Sequence, residues 1–195
     1  ANNFAVVLPH LFGPIGRTFL LGNTVRVLCM RREFKIFETN KTSPIVSWLR
    51  ALCTDVKVRN NVPGVGVIGM CLTGNFAISL MADDAVLGGV ASQPSLAIRD
   101  HASLHMSAQD VVEVTEAIDK KGDALAYRFA EDPLCTAEKF KSYTETFNTD
   151  NRRINLQTLP GKGHSVLTID FVDEEGHPTR TALDNVLSYF AERLG

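Results

Sequence analysis

GVGVIGMCLTGNFAISLMA, residues 64–82, is the stretch on which the reading of this chain turns. No residue from Val62 to Ala82 carries a charge. By length alone such a run is a membrane-span candidate. Pro63, Gly64, Gly66, Gly69 and Gly74, with the polar Thr73 and Asn75, break it into two shorter pieces. Val65–Met70 predicts a short buried strand, and Leu72–Ala82 predicts a helix that stops at Asp83-Asp84. Cys71 stands at the join, with Gly69 on one side and Gly74 on the other.

Outward from this join the same rhythm recurs. Phe4–Leu8, Val25–Met30, Ala85–Val90, Ala124–Phe129 and Ile154–Leu159 are continuous apolar runs, which suit strands covered on both faces. Helical patterns lie between them. Ser43–Leu52 opens on Ser-Pro, and Ser107–Lys121 has Ser107 as its N-cap. Thr136–Phe147 opens on a sequence close to a capping box, and Thr181–Leu194 carries one apolar stripe. Alternation of strand and helix predicts an α/β fold: a three-layer sandwich around a mostly parallel sheet of about six or seven strands. The polar segment Arg99–His105 reads as a surface loop. No repeat or linker divides residues 1–195, so the expectation is a single domain.

Composition narrows the class. The chain has 195 residues, 45% hydrophobic and 22% charged, with a formal net charge of −2. That is an ordinary globular balance, able to bury a core without staples. Basic residues form only short pairs such as Arg31-Arg32 and Arg152-Arg153, so nothing points to nucleic acid. Cys29, Cys53, Cys71 and Cys135 have no zinc-like spacing, and no secretory leader is evident. Free thiols in a reduced, cytoplasmic setting are expected.

Strand, Gly-Met-Cys-Leu-Thr-Gly, helix is the pattern of a nucleophile on a sharp turn. Small neighbours are needed there because strand and helix backbones approach closely. Gly69 meets the need, while Thr73 is bulkier than the usual glycine. A thiol at such a turn meets free N–H groups, which favour thiolate. The N–H of Leu72 would face a developing oxyanion. A glycine-flanked cysteine by itself is equally a small packed residue, so partners decide. His164, in Pro-Gly-Lys-Gly-His-Ser beyond the Ile154–Leu159 strand, is the expected base. Asp132, beyond the Ala124–Phe129 strand and before Pro133, is the expected acid, with Glu131 as the alternate. In Pro9-His10-Leu11-Phe12-Gly13 the N–H of Leu11 is the expected second oxyanion donor.

VVLPHLFG, GVIGMCLTGN, RFAEDPLC and PGKGHSVL, in that order, resemble the dienelactone hydrolase family of α/β-hydrolases. The resemblance runs through most of the chain from Phe4 onward. It implies Cys71 as nucleophile, Asp132 as acid and His164 as base, acting on a small-molecule ester or lactone without metal or organic cofactor. In departure from the family, the usual N-terminal strands before the first core strand are absent, so a shorter sheet is expected. Two positions depart from the family. His10 stands where a glutamate that restrains the thiol is common, and is read as a contact to thiolate or substrate. Thr168 stands where dienelactone enzymes carry a substrate-gripping arginine, which argues against dienelactone itself.

The resulting expectation is a Cys-His-Asp hydrolase of carboxylic esters or lactones working through a thioester. A glutamine amidotransferase-like site ranks lower, because His164-Ser165-Val166 lacks that family's His-x-Glu. The other alternative is a redox-responsive or ligand-binding module, non-catalytic, on a hydrolase fold.

Overall fold

The structure is a computed structural model and describes residues 4–11, 44–95 and 102–195. Its elements in chain order are α1 (Pro44–Asn60), β1 (Val65–Met70), a 3₁₀ turn (Cys71–Thr73), α2 (Gly74–Leu80), β2 (Val86–Ser92) and α3 (Ala108–Lys121). β3 (Ala124–Phe129), α4 (Ala137–Phe147), β4 (Ile154–Leu159) and α5 (Pro178–Leu194) follow. The four strands form one parallel sheet in the order β1-β2-β3-β4, so each crossover carries the chain to the adjacent strand.

Strand β3 shows how the layers form. All six of its residues are buried. Ala124 and Ala126 face a core built with Val46 and Leu49 of α1, Phe76 and Ile78 of α2, Val114 and Ile118 of α3 and Phe140 and Tyr143 of α4. Leu125, Tyr127 and Phe129 face the opposite side, where Ala182, Val186, Tyr189 and Phe190 of α5 cover them. The period-2 alternation of a strand thus divides two apolar sets that read as one run in sequence. Close packing against α5 sets residue size in the strands: a Cβ at Gly66 would lie 2.4 Å from the Phe190 ring.

β1, β3 and β4 coincide with the predicted strands, and β2 runs from Val86 to Ser92 rather than from Ala85 to Val90. The helix predicted from Ser43 begins at Pro44 and continues to Asn60, because Cys53 of its later turns is still buried. Ser107 caps α3, accepting from the Asp110 N–H at 3.1 Å while Asp110 accepts from the Ser107 N–H at 2.8 Å. Thr136 makes no such cap, and its buried hydroxyl has no hydrogen-bond partner among the described residues.

Two expectations need correction. Phe4–Leu8 is not a strand; it is irregular and exposed, Leu8 at 86%, with the edge of Phe4 against Phe190. Apolar, β-branched composition makes a strand only where a neighbouring strand accepts its hydrogen bonds. At the far end of the predicted surface loop Arg99–His105, His105 is buried with φ +54°. Among the described residues the sheet has four strands; the predicted strand Val25–Met30 lies outside them, as does Cys29. No helix among the described residues is long and apolar enough to cross a membrane, and the Val62–Ala82 run divides between β1, the 3₁₀ turn and α2.

Candidate active site

The chain leaves β1 through a turn that only certain residues permit. Cys71 has φ +52°, a left-handed conformation that costs a non-glycine residue about 1–3 kcal/mol. A Cβ at Gly69 would lie 2.1 Å from the Thr73 carbonyl oxygen, and one at Gly74 would lie 2.7 Å from Pro94. Thr73, bulkier than the turn was expected to want, uses its bulk. Its hydroxyl accepts from the Met70 N–H and donates to the Met70 carbonyl, both at 2.9 Å, and so staples the turn shut. The predicted helix after Cys71 is therefore a 3₁₀ turn followed by the seven-residue α2, whose residues are all buried.

Asp132 comes from the loop after β3 and is buried. Its Oδ1 accepts from the N–H groups of Leu134 at 2.8 Å and Cys135 at 2.9 Å, so the carboxylate holds its own loop as well as its partner. Arg128, buried at the end of β3, closes the same loop. Its Nε donates to the Cys135 carbonyl at 2.8 Å and its Nη2 to the Ala130 carbonyl at 2.9 Å. Glu131, the alternate acid, is exposed.

His164 comes from the loop after β4, where Gly161 and Gly163 take φ +97° and +140°. Asp170 pins that loop by accepting from the N–H groups of His164 and Ser165, each at 2.8 Å. The imidazole Nδ1 lies 2.9 Å from Asp132 Oδ2 and 3.0 Å from Oδ1. Burial raises the Asp132 carboxyl, but the hydrogen bonds from His164, Cys135 and Leu134 outweigh it and leave it below its ordinary value. An ionised carboxylate can only accept, so Nδ1 carries a proton toward Asp132. Nε2 is buried and is not taken up by any other hydrogen-bond partner among the described residues.

Cys71 and His164 titrate as a pair. Burial pushes the Cys71 thiol up; the His164 ring, the hydrogen bond to Ser95, the imidazole charge and the Leu72 N–H together bring it below its ordinary value. Burial likewise opposes the charged imidazole, yet Asp132 and Cys71 raise His164 to about 9. Each shift favours the charged form of its group, so the pair is biased toward thiolate and imidazolium. The other described cysteines behave in the opposite way. Burial lifts Cys53 to about 11 and Cys135 to about 12. Iodoacetamide at about neutral pH should therefore alkylate Cys71 well before Cys53 or Cys135, as peptide mapping would read. Equal labelling of the three would contradict the asymmetry.

The three residues predicted to work together thus lie at the C-terminal ends of three parallel strands of one sheet. Leu72 directs its N–H toward the sulfur. Leu11 ends the described N-terminal segment, half-buried, and His10 beside it is exposed, as is Thr168. Among the described residues no three His, Cys, Asp or Glu side chains gather as a metal site. Sequence reasoning missed Ser95, Asp170 and Arg128. Ser95 was within reach of the rule that located the others, since Gln93-Pro94-Ser95 is the loop just past the C-terminal end of β2. Asp170 and Arg128 act through backbone groups brought near by the fold, which no local pattern announces.

The family model described as the dienelactone hydrolase family matches residues 5–194. The chain belongs to the dienelactone hydrolase family. Among solved structures it is similar to a point variant of SOBER1 of Arabidopsis thaliana, at 16% identity over 77% of this chain and 64% of that one, with a TM-score of 0.53. It is similar also to SOBER1 itself from the same plant, at 14% identity over 77% of this chain and 63% of that one, with a TM-score of 0.48. At such identities the likeness speaks for the α/β fold alone. The chain spans less than two thirds of the length of these two solved chains. Comparison with curated proteins finds none that matches.

Proposed function

We propose that this dienelactone hydrolase family member hydrolyses small carboxylic esters or lactones through a thioester on Cys71. The observation that carries the reading is the pairing of a depressed, partly exposed thiol on a strained turn with an imidazole held by a buried carboxylate. The Cys71 thiolate attacks the acyl carbon, and the oxyanion that forms is held by the N–H groups of Leu72 and Leu11. As the carbonyl re-forms, the C–O bond to the leaving group breaks and His164 Nε2 gives that oxygen its proton. His164, now neutral, takes a proton from water as the water attacks the thioester. Collapse of the second oxyanion releases the acid and returns the pair of thiolate and imidazolium. Asp132 keeps the ring in the tautomer this sequence needs and stabilises its cation. His10 is the nearest sequence neighbour of the Leu11 donor, and its role is contact with substrate or thiolate. The exposed Thr168 offers no charge to a substrate carboxylate, which favours substrates other than dienelactone.

Intact-mass analysis during turnover of 4-nitrophenyl acetate tests this. One acetyl group per chain, mapped to Cys71 and discharged within the turnover time, is expected. An acetyl group on any other residue, or none at all during turnover, overturns it. A thiol that stays unacylated and is instead oxidised by mild peroxide would favour the redox-responsive reading.

A further inference from the structure

Besides the electrostatic influence of His164, the sulfur has a hydrogen-bond partner. Cys71 Sγ lies 3.2 Å from the Oγ of Ser95. Ser95 is 1% exposed, and its position is set by backbone rather than by a free rotamer. Its N–H donates to the Cys71 carbonyl at 3.0 Å. Pro94 before it packs against Gly74 so closely that no Cβ fits there. Gln93 before that takes φ +39° and donates its N–H to the Tyr127 carbonyl of β3 at 2.7 Å. Three successive residues thus clasp the loop to the turn and to the sheet, and the hydroxyl at its end is aimed at sulfur.

We propose that Ser95 is a further catalytic residue, whose hydroxyl bonds the Cys71 sulfur in both of its protonation states. The inference rests on the reading of Cys71 as nucleophile. A hydroxyl is donor and acceptor at once and rotates freely about its C–O bond. While the thiol is protonated, S–H donates to Oγ. When the S–H bond breaks, its electron pair stays on sulfur and the proton forms the Nε2–H bond of His164. The hydroxyl then turns and donates its own proton to the thiolate, with no heavy atom moving. A carboxylate in the same place would suit only the protonated thiol. The hydroxyl therefore keeps the thiolate populated without removing it from reach of a carbonyl carbon.

The test is the pH dependence of Cys71 alkylation by iodoacetamide, read by peptide mapping in wild type and Ser95→Ala. It needs no substrate. A hydrogen bond to a charged group lost without replacement raises the midpoint by about one pH unit, and that rise is expected while the thermal midpoint shows the variant folded. kcat/KM for 4-nitrophenyl acetate at neutral pH falls with it. An unmoved alkylation midpoint overturns the inference. Should Ser95→Ala not fold, Ser95→Gly keeps the backbone donor to Cys71 and is read the same way. Retained ester turnover in Cys71→Ala defeats the hydrolase reading alone, whereas an unmoved midpoint in a folded Ser95 variant defeats the role of Ser95 alone.

Discussion

Cys71→Ala is expected to lower kcat for 4-nitrophenyl acetate by about four orders of magnitude or more, to the remnant left by oxyanion donors and binding. The size follows from what is removed. The attacking atom, the anion that His164 stabilises and the covalent intermediate all disappear together. Cys71→Ser should not restore the rate, because a hydroxyl does not ionise under the influences that depress this thiol. Stability should move the other way in Cys71→Gly. The left-handed φ of +52° is strained for cysteine and free for glycine. Glycine should therefore raise unfolding free energy by about 1 kcal/mol in a denaturant titration while abolishing turnover. A protein made more stable and inactive by one change at the turn would be trading strain against chemistry. Undiminished turnover in Cys71→Ala would end the proposed mechanism.

What the sequence made legible divides along a physical line. Val65–Met70, Ala124–Phe129 and Ile154–Leu159 were readable residue for residue because burial on both faces writes itself as an unbroken apolar run. Ser107 was readable because a cap is a contact between residues three apart. Phe4–Leu8 has the same composition and is no strand, because whether a neighbour exists to pair with is a property of the fold. Thr136 shows the limit even of local rules: its sequence suits a cap, yet the buried hydroxyl makes no cap hydrogen bond. In the candidate site, Cys71, Asp132 and His164 are singled out by their place after β1, β3 and β4, while the 2.9 Å contact of His164 with Asp132 is set by the fold. Ser95 obeys the same placement rule, but a serine in a loop carries no mark of its aim; the clasp by Tyr127, Gly74 and Cys71 supplies it.

Asp132→Asn separates the acid's chemical role from its structural one. Asparagine keeps an Oδ1 that can accept from Leu134 and Cys135, so the loop should survive. Its amide, unlike the carboxylate, can donate to Nδ1. The ring then takes the other tautomer, with the proton on Nε2, and can no longer accept one from water. A loss of about 10³–10⁴ in kcat is expected. The pH dependence should move as well. In the wild type His164 holds its proton up to about 9, above the 6.5 of an ordinary histidine. Activity should therefore decline above about pH 9, where the leaving group loses its proton donor. Without the carboxylate the imidazolium loses its main hydrogen-bond partner, and this alkaline limb should shift to lower pH. The same linkage governs stability. The contribution from holding His164 charged is complete below pH 6.5 and is lost as pH rises through about 9. The stability difference between wild type and Asp132→Asn should accordingly narrow across that window. Titration of the His164 Cε1 proton by NMR reads the shift directly, and a midpoint left near 9 in the variant would show that Asp132 does not hold the imidazolium.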